Sequence, residues 1–374
     1  MAENNARLNY VDMVKGLGIL SVIGYHLIAP SALRTVLTGT TGILLLGFFL
    51  FSGYLYTPGK RSFGENMIAR VKSLLVPFFI YSICFWVIGT IYLLITDSAP
   101  FAETLACLRN FYAGCIWNRT IQNWFGWEYY SLGKRYLFLA DFWFLLAMFF
   151  ASALFFVITD HVKQSKGKQA AAIAVLLATT GILRGFDISL PYNLQIIPFW
   201  TAVMLGGYIL KEWKLFELDF MRGGIGWGVS IAAIVSTMGA NTALQYGTNL
   251  FRGTFDQPEP VTMLALFALG VVGNWGLASL CLKIEQTGMR VKELAWIGSN
   301  SLIPYLFHML FAWLICVLTG FSTFYDPETV TPAIFAESRL LTLAAIGLSV
   351  VTAIIINRAT AQSANKCMLN SNLN

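Results

Sequence analysis

Apolar residues in this chain are grouped in long unbroken runs, with polar residues confined mostly to the short segments between them. Ten such runs are found, at residues 11–28, 38–55, 74–95, 136–158, 169–183, 194–210, 225–246, 260–282, 297–318 and 340–356. A helix needs about 20 apolar residues to cross the hydrocarbon core of a bilayer. Runs of this length do not alternate as half-buried strands do. The pattern therefore predicts an all-α polytopic membrane protein with about ten transmembrane helices. No internal repeat or low-complexity segment is visible, and only 18 residues follow Ile356. The expectation is one membrane-embedded domain over residues 1–374, without a second folded domain.

Composition agrees with this reading. The chain is 57% hydrophobic, 15% aromatic and 12% charged, against about 25% charged residues in ordinary soluble domains. Mean hydropathy is +0.65. These values exclude a soluble globular enzyme and a disordered chain, and six cysteines in 374 residues do not make a disulfide framework. The net charge of +6 forms no basic block, so nucleic acid is not an expected partner. Of 25 Lys and Arg, 17 fall in segments on the side shared by both termini. Positive loops stay in the cytoplasm, so both termini are expected to be cytoplasmic, which an even number of spans also requires. Asp12 and Lys15 interrupt the start of the first span, which argues against a cleaved signal peptide.

Ionisable groups inside spans are costly and are candidates for function. His26 follows Lys15 by 11 positions. At 100° per residue the two return to within about 20° of one helical face, about 16 Å apart along the axis. Asp12 lies one turn below Lys15 and is placed to pair with it. The stripe resembles an anion anchor at one end and a proton acceptor at the other, and histidine titrates in the right range for general-base work. The competing reading of His26 is a structural histidine bonded to a neighbouring helix; its alignment with Lys15 favours the catalytic one. His308, in the ninth span, has no aligned cation, and packing or substrate positioning both stand open for it. His161 follows the fourth span among lysines and reads as solvated surface. Arg70 and Lys72 precede the third span and Pro77, on the same side as Lys15. Such residues commonly set topology only, yet with Lys15 they form a cluster able to hold phosphates of an anionic donor on the cytoplasmic side.

The long extracytoplasmic loop, about 97–135, carries Trp117, Trp124, Phe125, Trp127, Tyr129 and Tyr130. Either an interfacial aromatic belt or a stacking platform for sugar rings accounts for it. Cys107 and Cys115 share the loop, and a disulfide between them is left open. Cys84 and Cys316 lie within spans and read as small buried hydrophobes.

Several of these segments resemble the integral membrane acyltransferases of family 3. The opening Arg7-Leu-Asn-Tyr-Val-Asp12-Met-Val-Lys15-Gly16 followed by His26 is similar to the family's first helix. Gly47-Phe48-Phe49-Leu50-Phe51-Ser52-Gly53-Tyr54 resembles its second-helix signature. Arg70, Lys72 and Pro77 match the basic pair before the third helix, Trp143-Phe144-Leu145 its tryptophan motif, and Gly298 to His308 its late helix ending in tyrosine and histidine. Lysine stands at 15 and 72 where arginine is commoner in the family.

The resemblance implies transfer of an acyl group, most often acetyl, from cytoplasmic acetyl-CoA to a hydroxyl of an extracytoplasmic glycan or lipid-linked sugar. It implies His26 as the base, Lys15, Arg70 and Lys72 as the donor anchor, and no metal. Ser52, Tyr54, Asp12, Trp143, His308 and Asp141 are expected in positioning roles, in a bacterial cytoplasmic membrane and in contact with its lipids. Self-association is left open. The rival class is a secondary transporter of a small polar solute, although the paired repeats common in transporters are not visible.

Overall fold

A computed structural model describes residues 8–96, 99–117, 142–163, 165–186, 188, 190–218, 221, 223–244, 259–289, 291–320 and 330–371. Every regular element among them is helical. In chain order they are α1 (Asn9–Leu27), α2 (Ala32–Tyr54), α3 (Phe63–Arg70), α4 (Val76–Ile95), α5 (Phe101–Trp117), α6 (Trp143–Val162), α7 (Lys166–Gly185), α8 (Ile197–Glu212), α9 (Gly224–Leu244), α10 (Glu259–Gln286), α11 (Lys292–Ser299), α12 (Leu302–Thr319) and α13 (Pro332–Ser371). A π-helical turn, Val71–Leu75, joins α3 to α4, and a 3-10 turn, Pro191–Ile196, leads into α8.

Among the described residues, each of the ten apolar runs is predominantly helical. Among the described residues, seven segments are long and apolar enough to cross a membrane: Ala32–Tyr54, Phe63–Ile95, Trp143–Val162, Leu194–Glu212, Met263–Gln286, Leu302–Thr319 and Pro332–Thr360. α9 contributes a shorter apolar stretch, Gly224–Ala240. α1 and α7 fall outside that set. The polar content of α1 is tolerated because the helix is enclosed: 13 of its residues are buried, against α2, α10, α11 and α12. The perimeter is apolar instead. Ile80, Ile83 and Ile91 of α4 and Leu340, Leu343 and Ile355 of α13 are all exposed, as expected where lipid is the solvent.

Three expectations from the sequence need correction. The first half of the segment read as a loop, 97–135, forms α5. Its buried residues Thr104, Cys107 and Phe111 recur at helical spacing, and the helix docks on α4 through Trp86 Nε1–H donating to Thr104 O (2.7 Å) and through the Ser82–Tyr112 hydroxyl pair (2.7 Å). The ninth run, 297–318, is broken into α11 and α12 at Asn300–Ser301. There Asn300 Nδ2 donates to Trp296 O (2.8 Å) and Ser299 Oγ to the same carbonyl (2.7 Å), and side-chain bonds of this type compete with helix continuation. Cys84 faces outward, whereas Cys107 is buried. The pairing of Cys107 with Cys115, the loop aromatics and Asp141 lie outside the described residues and side chains.

Glycine permits the closest helix crossings, the small-residue packing favoured where apolar contact with lipid costs nothing. A Cβ on Gly53 would overlap the Met204 carbonyl, and one on Gly207 would overlap the Leu50 carbonyl, so α2 and α8 touch backbone to backbone. Gly16 and Gly298 do the same for α1 and α11, meeting Leu294 O and Asp12 O. Asn274 of α10 is buried and donates to Ile43 O (2.7 Å) and Gly270 O (2.8 Å), tying α10 to α2.

Loops assigned to the same side by charge also meet in space. Lys211 Nζ donates to Tyr56 O (2.9 Å), Asn9 Nδ2 to Glu285 Oε1 (2.9 Å) and Asn357 Nδ2 to Asn300 Oδ1 (2.7 Å). Lys166 lies over the Trp213 ring.

Candidate active site

His26 sits in the last turn of α1. It and Tyr25 are half-buried, while Gly24 and Leu27 beside them are fully enclosed. Its Nδ1 lies 3.1 Å from Nε2 of His308, and the two rings stack with centroids 5.3 Å apart and planes 24° off parallel. His308, on α12, is completely buried. Its Nδ1 is 2.7 Å from Tyr305 O and 3.2 Å from Pro304 O.

These contacts order the protons. A carbonyl oxygen only accepts, so His308 Nδ1 carries a hydrogen. In neutral His308 that leaves the lone pair on Nε2, which accepts from His26 Nδ1–H. In the neutral pair the remaining lone pair is on His26 Nε2. The second histidine therefore selects one tautomer of the first, the role that a hydrogen bond to the other ring nitrogen plays generally.

Asp12, Lys15 and His26 all lie on α1. Lys15 Nζ is 3.8 Å from Asp12 Oδ1, and the Asp12 side chain is largely enclosed. A cleft of about 320 Å³ opens beside Asp12, lined also by Asn9, Glu285, Lys292 and Trp296. On the neighbouring helices, Arg70 turns inward. Its Nη2 donates to Ser52 Oγ (3.0 Å), and the guanidinium lies 5.8 Å from the Phe156 ring centre. Lys72 is exposed. Residues two apart on a helix point in nearly opposite directions, so the basic pair does not converge on one point.

The other sequence candidates pack between neighbouring helices. The Tyr54 and Tyr10 hydroxyls are 2.7 Å apart, joining α2 to α1. Trp143 packs edge-on against Phe144 and beside Trp200. Phe144 meets Tyr305 (5.3 Å), whose ring in turn contacts His308. The tryptophan motif thus buttresses the helix that carries the second histidine. His161 is exposed, with its ring bonded to Val157 O.

Sequence reasoning missed three features. It left His308 without a partner, because 282 residues separate the two imidazoles. It gave no role to Tyr10 or Asn274, for which position within one helix carries no signal. It also passed over Arg34 at the start of α2.

No curated protein and no solved structure matches the chain. A family model described as an acyltransferase domain, family 3, matches residues 8–358. That span includes the histidine pair, the Lys15 stripe and the Arg70–Ser52 contact, and it makes the chain a multi-pass membrane member of the acyltransferase 3 family.

Proposed function

We propose that this acyltransferase moves an acetyl group from acetyl-CoA, entering at the Lys15 end, to a hydroxyl of an extracytoplasmic or lipid-linked sugar arriving at the His26 end. The observation that carries the reading is the His26–His308 pair, which places the basic lone pair on Nε2 of a half-buried imidazole. His26 Nε2 accepts the hydroxyl proton as the sugar oxygen attacks the thioester carbonyl carbon. His308 Nε2 accepts from the imidazolium Nδ1–H that results. The carbon–sulfur bond then breaks, and the proton on His26 passes to the departing thiolate.

Lys15, Arg70 and Lys72 fit the donor's phosphates by charge. Arg70 is the best placed, since Ser52 and Phe156 hold its guanidinium in one orientation. Lys72 is exposed and suits an outer phosphate. The charge bias of the loops supports the Lys15 end as cytoplasmic, in the cytoplasmic membrane of a bacterium. Membership of an acyltransferase family removes the ground for the transporter reading.

The test uses purified protein in lipid vesicles with radiolabelled acetyl-CoA and a preparation of cell-surface glycan. His26→Ala should abolish label transfer while insertion and folding persist. Transfer at the parental rate by that variant would overturn the assignment.

A further inference from the structure

α1 ends one residue past His26, and after four intervening residues α2 begins behind Ser31, whose side chain accepts from Arg34 N–H (3.2 Å). This fixes Arg34 in the first turn of α2. A cation is least stabilised there, because the helix dipole presents its positive end. Helix stability therefore does not account for arginine at this position.

Its side chain is nevertheless held. Nη1 donates to Ile28 O (3.0 Å), and the guanidinium carbon lies 5.5 Å from the centre of the Tyr25 ring. The Tyr25 ring is 5.4 Å from the His26 ring. Together these lengths put the guanidinium within about 11 Å of the catalytic imidazole, a reach that one or two sugar residues cover. Among the described residues no carboxylate lies within ion-pair distance of Arg34. One of its five N–H groups is used by Ile28, and the fork geometry of the rest matches a carboxylate or phosphate.

We infer that Arg34 reads a negative charge on the acceptor, so that the sugar acylated here carries a carboxylate or phosphate close to the reacting hydroxyl. The inference rests on the proposed function and adds the acceptor's chemical class to it. The contacts with Ile28 and Tyr25 hold the guanidinium beside the end of α1 that carries the imidazole. An anionic sugar docked there presents its hydroxyl to His26 Nε2, while a neutral sugar gains nothing from the same contact.

Methyl glucuronide and methyl glucoside, which differ in having a carboxylate or a hydroxymethyl group on the same ring, separate the two cases. Each is supplied to vesicles of fixed lipid composition containing the full chain, with radiolabelled acetyl-CoA. The parent should favour the glucuronide in kcat/KM by about tenfold or more, the order expected for a charge-assisted bond. Arg34→Gln should bring that ratio towards unity, mainly through KM for the glucuronide. Arg34→Lys should give an intermediate ratio, keeping charge without the planar fork.

A parental ratio near unity would overturn the inference and leave the proposed function standing. So would an unchanged ratio in Arg34→Gln with both rates lowered alike, the signature of an anchor to lipid phosphate or of a purely structural arginine. Transfer to neither sugar by the parent would count against the proposed function and the inference together.

Discussion

Replacing His308 with leucine removes the acceptor for His26 Nδ1–H without introducing a charge into a fully buried position. The lost interaction is one hydrogen bond to a group that becomes cationic as the reaction proceeds, worth about 1.5–3 kcal/mol. A barrier raised by that amount lowers kcat about 10- to 150-fold. KM for the acyl donor should hold, because the Lys15 end is about 16 Å away along the α1 axis. His308→Gln sharpens the test, since its amide oxygen can take the place of Nε2 as an acceptor. It should recover much of the rate, whereas a role confined to filling space gives glutamine no advantage over leucine. The assay is initial-rate acetyl transfer in vesicles, with thermal melting to verify the fold. A leucine variant at the parental kcat, or a glutamine variant as slow as leucine, would refute the relay between the two imidazoles.

Two further outcomes follow from geometry. Gly207→Ala places a methyl group into the Leu50 carbonyl, so α2 and α8 must part. Melting of the purified protein should fall by an amount corresponding to about 1–3 kcal/mol, while Gly64→Ala, with open space around it, should leave melting intact. Arg70→Gln removes the guanidinium held by Ser52 and Phe156. KM for acetyl-CoA should rise about tenfold or more with a smaller effect on kcat, the pattern of a lost binding contact, and a KM equal to the parent's would remove Arg70 from the donor site.

What the sequence made legible was whatever a single helix decides alone. In lipid the backbone must satisfy its own hydrogen bonds, so the described parts of the long apolar runs are helical, the ninth being split in two. The Lys15–His26 stripe could be read from angular spacing within α1. α5 escaped because the exposed Glu103 and Arg109 interrupt its apolar run in sequence, and the short repeat of Thr104, Cys107 and Phe111 gives little pattern to detect. The break at Asn300–Ser301 depends on which way two small polar side chains turn. The histidine pair was illegible for a different reason. It arises only when α1 and α12 are packed, and that packing is governed partly by glycines far along the chain from either imidazole. Lys72 shows the converse, where two cations adjacent in sequence suggested a cluster that helical rotation separates.

The broken helix has a mechanical implication. α11 is wedged against α1 at Asp12 and Gly16, and α12, only two residues further on, delivers His308 to His26. One stretch of chain therefore clasps α1 at both ends like a caliper, with Asn300 and Ser301 as its pivot. The spacing of the two rings is therefore tied through that pivot to how α1 sits against α11.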